Sequence, residues 1–485
     1  MINNKIVCRA LGSLLYIETL LLGISMAVGI YFGERDYLTF GVPVAVSFLL
    51  ASWLHFKGRR AQNRLGRRDG FLIVSLTWIV FSAVGMLPFL VGGYTGRVAV
   101  AFFETMSGFS TTGATAFADL EVLPESILFW RALTHWMGGM GIVFFTLAVL
   151  PSMGADDQKL FSAETTGLKL GKLHPRISTT ARWLWSLYLL LTIACCVCYY
   201  VAGMTGFDAI CHAFSTIATG GFSTHTQSLA FFHSKTISYV AIVFMALAGI
   251  NFSLLYLLLV KRRFRQVFRD PELRLYLTLI VTATVFIGGC LWLYQGEDVA
   301  EAGRRALFNV VSVMTTSGFT EEDFMLWPPL TWLALFALTL SGACAGSTSG
   351  GIKIVRLLTS YKLIKLEVLH MLHPHAVFPL RLGETNISRD VARTIFAFLT
   401  TYSLLAAAGT LLLAGMGLPL TESIGLCVTS LSNVGPCLGQ MIGPTGSWDV
   451  LPDPALWLLS FLMLAGRLEI FSLLLPFLPA FWRDN

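Results

Sequence analysis

Of the 485 residues, 55% are hydrophobic and 13% charged, and the mean hydropathy is +0.70. Soluble globular chains carry about 25% charged residues, so these values exclude a soluble domain and describe an integral membrane protein. The net charge of +6 follows membrane topology, as argued below, and marks no nucleic-acid surface.

Apolar runs of about 20 residues read as spanning helices. They fall near 11–32, 37–56, 71–92, 127–150, 183–203, 236–260, 275–294, 330–370, 393–415 and 454–478. The N-terminus lacks a short apolar core followed by a small-residue cleavage site, so no removable signal peptide is expected. Lys57, Arg59, Arg60, Arg64, Arg67 and Arg68 follow the second span, and Lys261, Arg262, Arg263, Arg265, Arg269 and Arg274 follow the sixth. By the positive-inside rule those loops are cytoplasmic. Alternation then puts both termini inside, consistent with Lys5, Arg9 and Arg483.

Residues 1–68 read as a helical hairpin. After it the chain repeats. FFETMSGFSTTGATA, from Phe102 to Ala116, returns as CHAFSTIATGGFS from Cys211, FNVVSVMTTSGFT from Phe308 and GLCVTSLSNVGPC from Gly425. The glycines recur at a period of roughly a hundred residues, which predicts four structural units around one axis. The units are 69–180, 181–270, 271–388 and 389–485. Their aligned cores are Thr111-Thr112-Gly113, Thr219-Gly220-Gly221, Thr316-Ser317-Gly318 and Asn433-Val434-Gly435. Glu104, His212 and Asn309 stand at one common distance before their glycines, each a polar break in an apolar run.

The segments near 99–110, 207–217, 303–314 and 421–431 are too short to cross a bilayer. Each predicts a re-entrant half-helix returning as extended chain. Irregular backbone at membrane depth is tolerated where it is buried in protein or lines an aqueous cavity. Glycine lets the carbonyls turn toward the axis, and a half-helix C-terminus adds partial negative charge. Four such ends, with carbonyl and Thr hydroxyl oxygens, can replace the hydration shell of a cation.

Acidic residues crowd the outer segments, among them Glu104, Asp119, Glu121, Asp208, Glu297, Glu301, Glu321, Glu322, Glu422, Asp449 and Asp453. A negative vestibule would concentrate cations; a solvated rim is the plainer reading of each residue singly. Cys195, Cys196 and Cys198 lie inside an apolar span and read as packing residues.

Three features lie beyond the turns. LSGACAGSTSGGIK, from Leu340 to Lys353, breaks the eighth run, where a continuous span would be apolar. A packing kink is one explanation. A phosphate loop is excluded, because Ile352 stands where that motif requires Lys. Arg467 lies in the middle of the tenth run, where an arginine usually faces a cavity or a partner. It either lines the conduction path and opposes cations or bridges to a carboxylate on another helix. The segments 151–182 and 373–392, with Lys159, Lys169, Lys172, Arg176, Arg381 and Arg389, suit a soluble partner or lipid headgroups.

The fourfold span, half-helix, turn and span plan, the preceding hairpin and SGACAGSTSGGIK together resemble the Trk/Ktr/HKT superfamily of potassium transporters, most closely its TrkH-type bacterial uptake subunits. The resemblance covers essentially the whole chain. It implies an all-α membrane protein with one potassium pore per protomer, and K+ as the transported ion with no organic cofactor. It implies a homodimer in the bacterial inner membrane, with a cytoplasmic NAD- or ATP-type nucleotide-binding regulatory ring. It also implies a gating loop built from Gly342, Gly346, Ser347, Thr348, Ser349, Gly350, Gly351 and Lys353. The match to a full potassium-channel filter is incomplete: each repeat keeps one aligned glycine of it, and the fourth carries Asn433 and Val434, which predicts looser selectivity than a symmetric tetrameric channel. No nucleophile–base pair or metal-ligand spacing is present, so no catalysis is expected. Two rival functions stay open: a proton- or sodium-coupled symporter using Glu18 or Glu469, and an anion carrier centred on Arg467.

Overall fold

The computed structural model describes residues 2–61, 66–153, 177–376, 378–383 and 385–483. Its architecture is helical, apart from a two-residue antiparallel pairing of Arg381–Leu382 with Thr385–Asn386.

The N-terminal hairpin pairs Asn4–Tyr31 with Leu38–Gly58. Small residues allow the close approach. Gly12 lies against the backbone of Ala51 and His55, and Gly58 against the backbone of Arg9. Hydroxyls stitch the same seam, with Thr19 Oγ1 2.7 Å from Ser47 Oγ and Tyr16 donating to Ser52 at 3.0 Å.

Four units follow. The first has Arg67–Gly85, continued by Leu87–Val91, then the half-helix Val98–Phe109 and the return Glu125–Met153. The second has Ile177–Val201, the half-helix Gly206–Ile217, and a return split into Lys235–Ala248 and Phe252–Leu259. The third has Pro271–Gln295, the half-helix Val299–Met314, then Pro329–Ser341 and Ile354–Leu372 around an irregular loop. The fourth has Arg389–Gly415, the half-helix Leu420–Ser432, then Asp453–Arg467 and Phe471–Leu474.

The half-helices have 12, 12, 16 and 13 residues. At about 1.5 Å per residue they measure about 18–24 Å, short of a bilayer core of about 30 Å. The third begins earlier than the sequence indicates, because Asp298 caps it by accepting from the Ala300 amide at 3.1 Å. Two apolar cores support the ring. One joins the hairpin to the first and fourth units, and the other is built by the second and third with Met140 and Leu438.

Among the described residues, the run 127–150 is kinked at Gly141 (φ 38°), and two further spans read from sequence as continuous are broken by sharp bends. The run 236–260 bends by 104° between Ala248 and Phe252, and the run 454–478 bends by 116° after Arg467. Asn251 causes the first restart, its side chain accepting from the Ser253 amide at 2.8 Å. Left-handed backbone at Glu469 (φ 51°) and Ile470 (φ 62°) makes the second. Arg467 therefore ends a helix and does not lie in the middle of one.

Candidate functional site: a ring of four turns above an irregular loop

Each half-helix ends in the same way. The residue two before the glycine is left-handed, at φ 55° in Thr111, 54° in Thr219, 58° in Thr316 and 57° in Asn433. The next amide bonds back to a carbonyl of the last helical turn: Thr112 to Ser107 at 2.9 Å, Gly220 to Ser215 at 2.8 Å, Ser317 to Ser312 at 2.9 Å and Val434 to Thr429 at 3.1 Å. This is a Schellman-type helix end. The glycine that follows is also at positive φ, 78°, 87°, 75° and 89° in the four copies.

The four turns close into a ring. A Cβ built on Gly113 would overlap the carbonyl oxygen of Gly220, and one on Gly221 that of Ser317. One on Gly318 would meet the carbonyl of Val434, and one on Gly435 that of Thr112. Each glycine thus abuts the residue before the glycine in the next unit, and the fourth returns to the first. All four glycines line one small cavity of about 60 Å3, with Arg131, His225, Thr320 and Trp448 at its rim.

A polar brace stands behind the first and second turns. Arg131 pairs with Glu104 at 2.8 Å, the two side chains 2% and 0% exposed. The same guanidinium donates to the Ser223 carbonyl at 3.1 Å and to Thr115 Oγ1 at 3.2 Å, and lies 4.1 Å from the Phe222 ring centroid. Glu104 also accepts from the Ala116 amide at 2.8 Å. His135 stacks on Phe222 at 4.0 Å, with Nδ1 2.9 Å from Ser215 Oγ. In the second unit His212 Nε2 meets Ser223 Oγ at 2.9 Å.

The third and fourth units use other residues. Ser312 donates to the Phe319 carbonyl at 2.6 Å, and Thr429 to the Pro436 carbonyl at 3.3 Å. Glu422 accepts from the amides of Met441 and Ile442, both at 3.1 Å. Asn309 instead donates to Arg305 in its own helix at 3.1 Å. Sequence reasoning missed Arg131, and it named Glu422 only among the outer acidic residues. An arginine inside the apolar run 127–150 was the available signal for the first; Glu422 breaks the register shared by the other units.

The irregular loop spans 342–353, since Leu340 and Ser341 remain helical. Gly342, Gly346, Gly351 and Lys353 all have positive φ, at 63°, 72°, 72° and 77°. It lies directly beneath three of the four turns. The Gly350 amide donates to Thr316 Oγ1 at 2.7 Å, and Thr348 Oγ1 accepts from Thr219 Oγ1 at 3.2 Å. Gly350 packs on the Ser432 carbonyl with no room for a side chain. Below, the loop is held by Glu272, which accepts from the Ala345 amide at 2.6 Å, and by the broken second return helix. There Cys344 donates to the Gly249 carbonyl at 3.1 Å, and Phe252 donates to the Gly346 carbonyl at 3.0 Å. Ser347 Oγ is 2.7 Å from Ser349 Oγ, and Lys353 Nζ donates to the Ser349 carbonyl and, at 3.1 Å, to its hydroxyl.

Arg467 donates to the Thr348 carbonyl at 2.9 Å and to the Gly138 carbonyl. It ties the loop to the last helix and to the first unit.

The TrkH family of cation transport proteins matches residues 40–483. This chain belongs to the TrkH family. The potassium uptake protein TrkH of Halomonas elongata is 36% identical over 99% of both chains. That of Escherichia coli K12 is 38% identical over 90% of this chain and 91% of its own. The crystal structure of the potassium transporter TrkH from Vibrio parahaemolyticus, 35% identical, matches with a TM-score of 0.88 over 99% of both chains. TrkH-family proteins are transporters, so the chain is not an enzyme.

The acidic residues expected on the outer side of this TrkH-family chain are partly paired. Arg97 binds Asp449 at 2.9 Å and Asp453 at 2.6 Å, and Arg304 binds Glu301 at 2.7 Å and Glu321 at 2.6 Å. Arg305 pairs with Glu297 and Glu322. Six of the expected acidic residues are therefore held in three clasps, each with two carboxylates to one arginine. Glu121 accepts from the Thr226 amide at 3.0 Å and from its hydroxyl. Burial would raise its pKa, but these hydrogen bonds hold it down to about 2.

Glu469 pairs with Arg356. Glu18, fully buried in the first hairpin helix, has no hydrogen-bond partner among the described residues. The basic stretch with Lys159, Lys169, Lys172 and Arg176 lies outside the described residues. Arg381 and Arg389 begin the short strand and the fourth unit's first helix.

Proposed function

We propose that this chain is the potassium-conducting membrane subunit of a Trk-type uptake system. The ring of four turns is its selectivity filter and the 342–353 loop its gate. One observation carries the reading: each filter glycine abuts the carbonyl of the residue before the next unit's glycine, around a closed circle. Backbone carbonyls packed about one small cavity suit a dehydrated monovalent cation. The loop stands where it blocks passage, with Thr348 and Gly350 hydrogen-bonded to the filter threonines. Curated relatives named as Trk potassium uptake proteins support potassium as the cargo.

Arg467 acts as the strap of the gate. Its guanidinium is engaged by two protein carbonyls, which removes the support for an anion carrier. Symport would need an intramembrane carboxylate on the path; Glu469 is held by Arg356, and Glu18 lies in the N-terminal hairpin and does not line the ring cavity. In the same reading both termini are cytoplasmic, the protein is a homodimer, and the nucleotide-binding ring docks on the cytoplasmic face.

The test is cation flux into liposomes holding the purified protein, with no proton or sodium gradient. Potassium and rubidium entry driven by membrane potential alone supports the channel. Uptake that requires a proton or sodium gradient supports the symporter.

A further inference from the structure

Three of the four left-handed residues that end the half-helices are threonines, all buried to within 1%. They differ in what holds their hydroxyls. Thr316 Oγ1 accepts from the Gly350 amide of the loop at 2.7 Å. Thr219 Oγ1 is instead a donor, 2.7 Å from the Ala218 carbonyl and 3.2 Å from Thr348 Oγ1 of the loop, and keeps its lone pairs. Thr111 Oγ1 has no hydrogen-bond partner among the described residues. The fourth position supplies no hydroxyl: Asn433 Nδ2 is turned away, donating to Thr112 Oγ1 at 3.0 Å and to the Met463 carbonyl at 2.9 Å.

A buried hydroxyl without a partner is costly. At the end of the half-helix that leads into the ring, the Thr111 oxygen is free to serve as a cation ligand. Of its two equivalents, Thr316 is the one whose oxygen accepts from the loop, through the Gly350 N–H. With the loop docked that oxygen is engaged by an N–H donor, and with the loop withdrawn it is available to a cation.

We propose that the loop, through the Gly350 N–H, and the permeant cation compete for the hydroxyl oxygen of Thr316, so that a potassium ion in the innermost position favours the open loop. The inference rests on the filter and gate reading above and gives the gate a ligand of its own. By linkage, whatever factor the docked loop removes from cation affinity, the bound cation removes from loop docking. Cargo supply on the loop side thus adjusts the gate without a partner protein.

The experiment is single-channel recording of the purified full-length protein in planar bilayers. Potassium on the loop side is raised at constant ionic strength by replacing N-methylglucamine. Open probability in the wild type should rise several-fold with potassium or rubidium. Thr316→Val should raise it at low potassium by about 2- to 10-fold, the equivalent of one net hydrogen bond, and flatten its potassium dependence. Thr316→Ser, which keeps the oxygen, should restore both. Thr111→Val should lower conductance with no gain in open probability, because the loop makes no use of that hydroxyl.

An open probability in the wild type that ignores loop-side cations overturns the proposal, whether or not any variant folds. So does an unchanged potassium dependence in Thr316→Val while its potassium-to-sodium permeability ratio shifts; there the filter reading survives. If no monodisperse Val variant alters that ratio, the filter reading falls and this inference with it.

Discussion

Gly113 lies so close to the carbonyl oxygen of Gly220 that a single added methyl group would overlap it. The same relation joins Gly221 to Ser317, Gly318 to Val434 and Gly435 to Thr112. Two independent constraints therefore fall on each glycine. The left-handed backbone alone costs a substituted residue about 1–2 kcal/mol, and the overlap forces the neighbouring carbonyl to move. Gly113→Ala should already impair potassium uptake, and Gly113→Asp should abolish it, with the protein still inserted. Uptake by a strain lacking its own potassium transporters measures this, and wild-type rates in the Asp variant would refute the assignment.

Arg467→Ala should raise basal flux by releasing the Thr348 carbonyl, and with it the loop. It should also lower stability by about 1–3 kcal/mol, because the Thr348 and Gly138 carbonyls lose a charged donor. Flux and melting temperature must be read together. Lower flux with lower stability would make the arginine a scaffold only.

The Glu104–Arg131 pair is 2.8 Å long and almost fully buried. Arg131→Met should destabilise by about 3–5 kcal/mol, since it leaves a buried carboxylate without its partner. Adding Glu104→Gln removes the stranded charge, and the double variant should melt above the single. A double variant melting no higher would mean that Arg131 acts through its contacts to Ser223 and Phe222 and not through charge.

The depressed pKa of Glu121 gives a pH dependence of definite sign. Its folded value, about 2, lies below the ordinary 4.5, so the unfolded chain binds the proton more readily. The stabilisation is present above pH 4.5 and is lost as pH falls toward 2. Glu121 is 44% exposed, which keeps the effect small through solvent screening. Thermal melts at pH 5, 4 and 3 should show a shallower acid dependence in Glu121→Gln than in the wild type. Parallel curves would contradict the role given to Thr226.

The sequence carried the fourfold plan because repetition survives divergence: Thr111-Thr112-Gly113 and Thr316-Ser317-Gly318 still align without any structure. The loop was visible because Gly342 to Gly351 cannot continue an apolar helix. The bend after Arg467 was hidden, because Leu468, Glu469 and Ile470 carry no glycine or proline to announce left-handed backbone. The partners of Arg467 were hidden for a different reason. They are main-chain carbonyls, which every residue possesses and which leave no side-chain signature. The pairing inside the acidic rim was hidden, since the arginines that bind part of it, such as Arg97 for Asp453, lie far away in sequence.

The central claim is that the ring of four turns selects potassium. Its most direct test is the reversal potential of the purified protein under opposed potassium and sodium gradients, in the wild type and in a folded Gly318→Ser variant. The account predicts a wild-type value near the potassium equilibrium potential and a shift toward zero in the variant. A folded variant that keeps the wild-type reversal potential would contradict it.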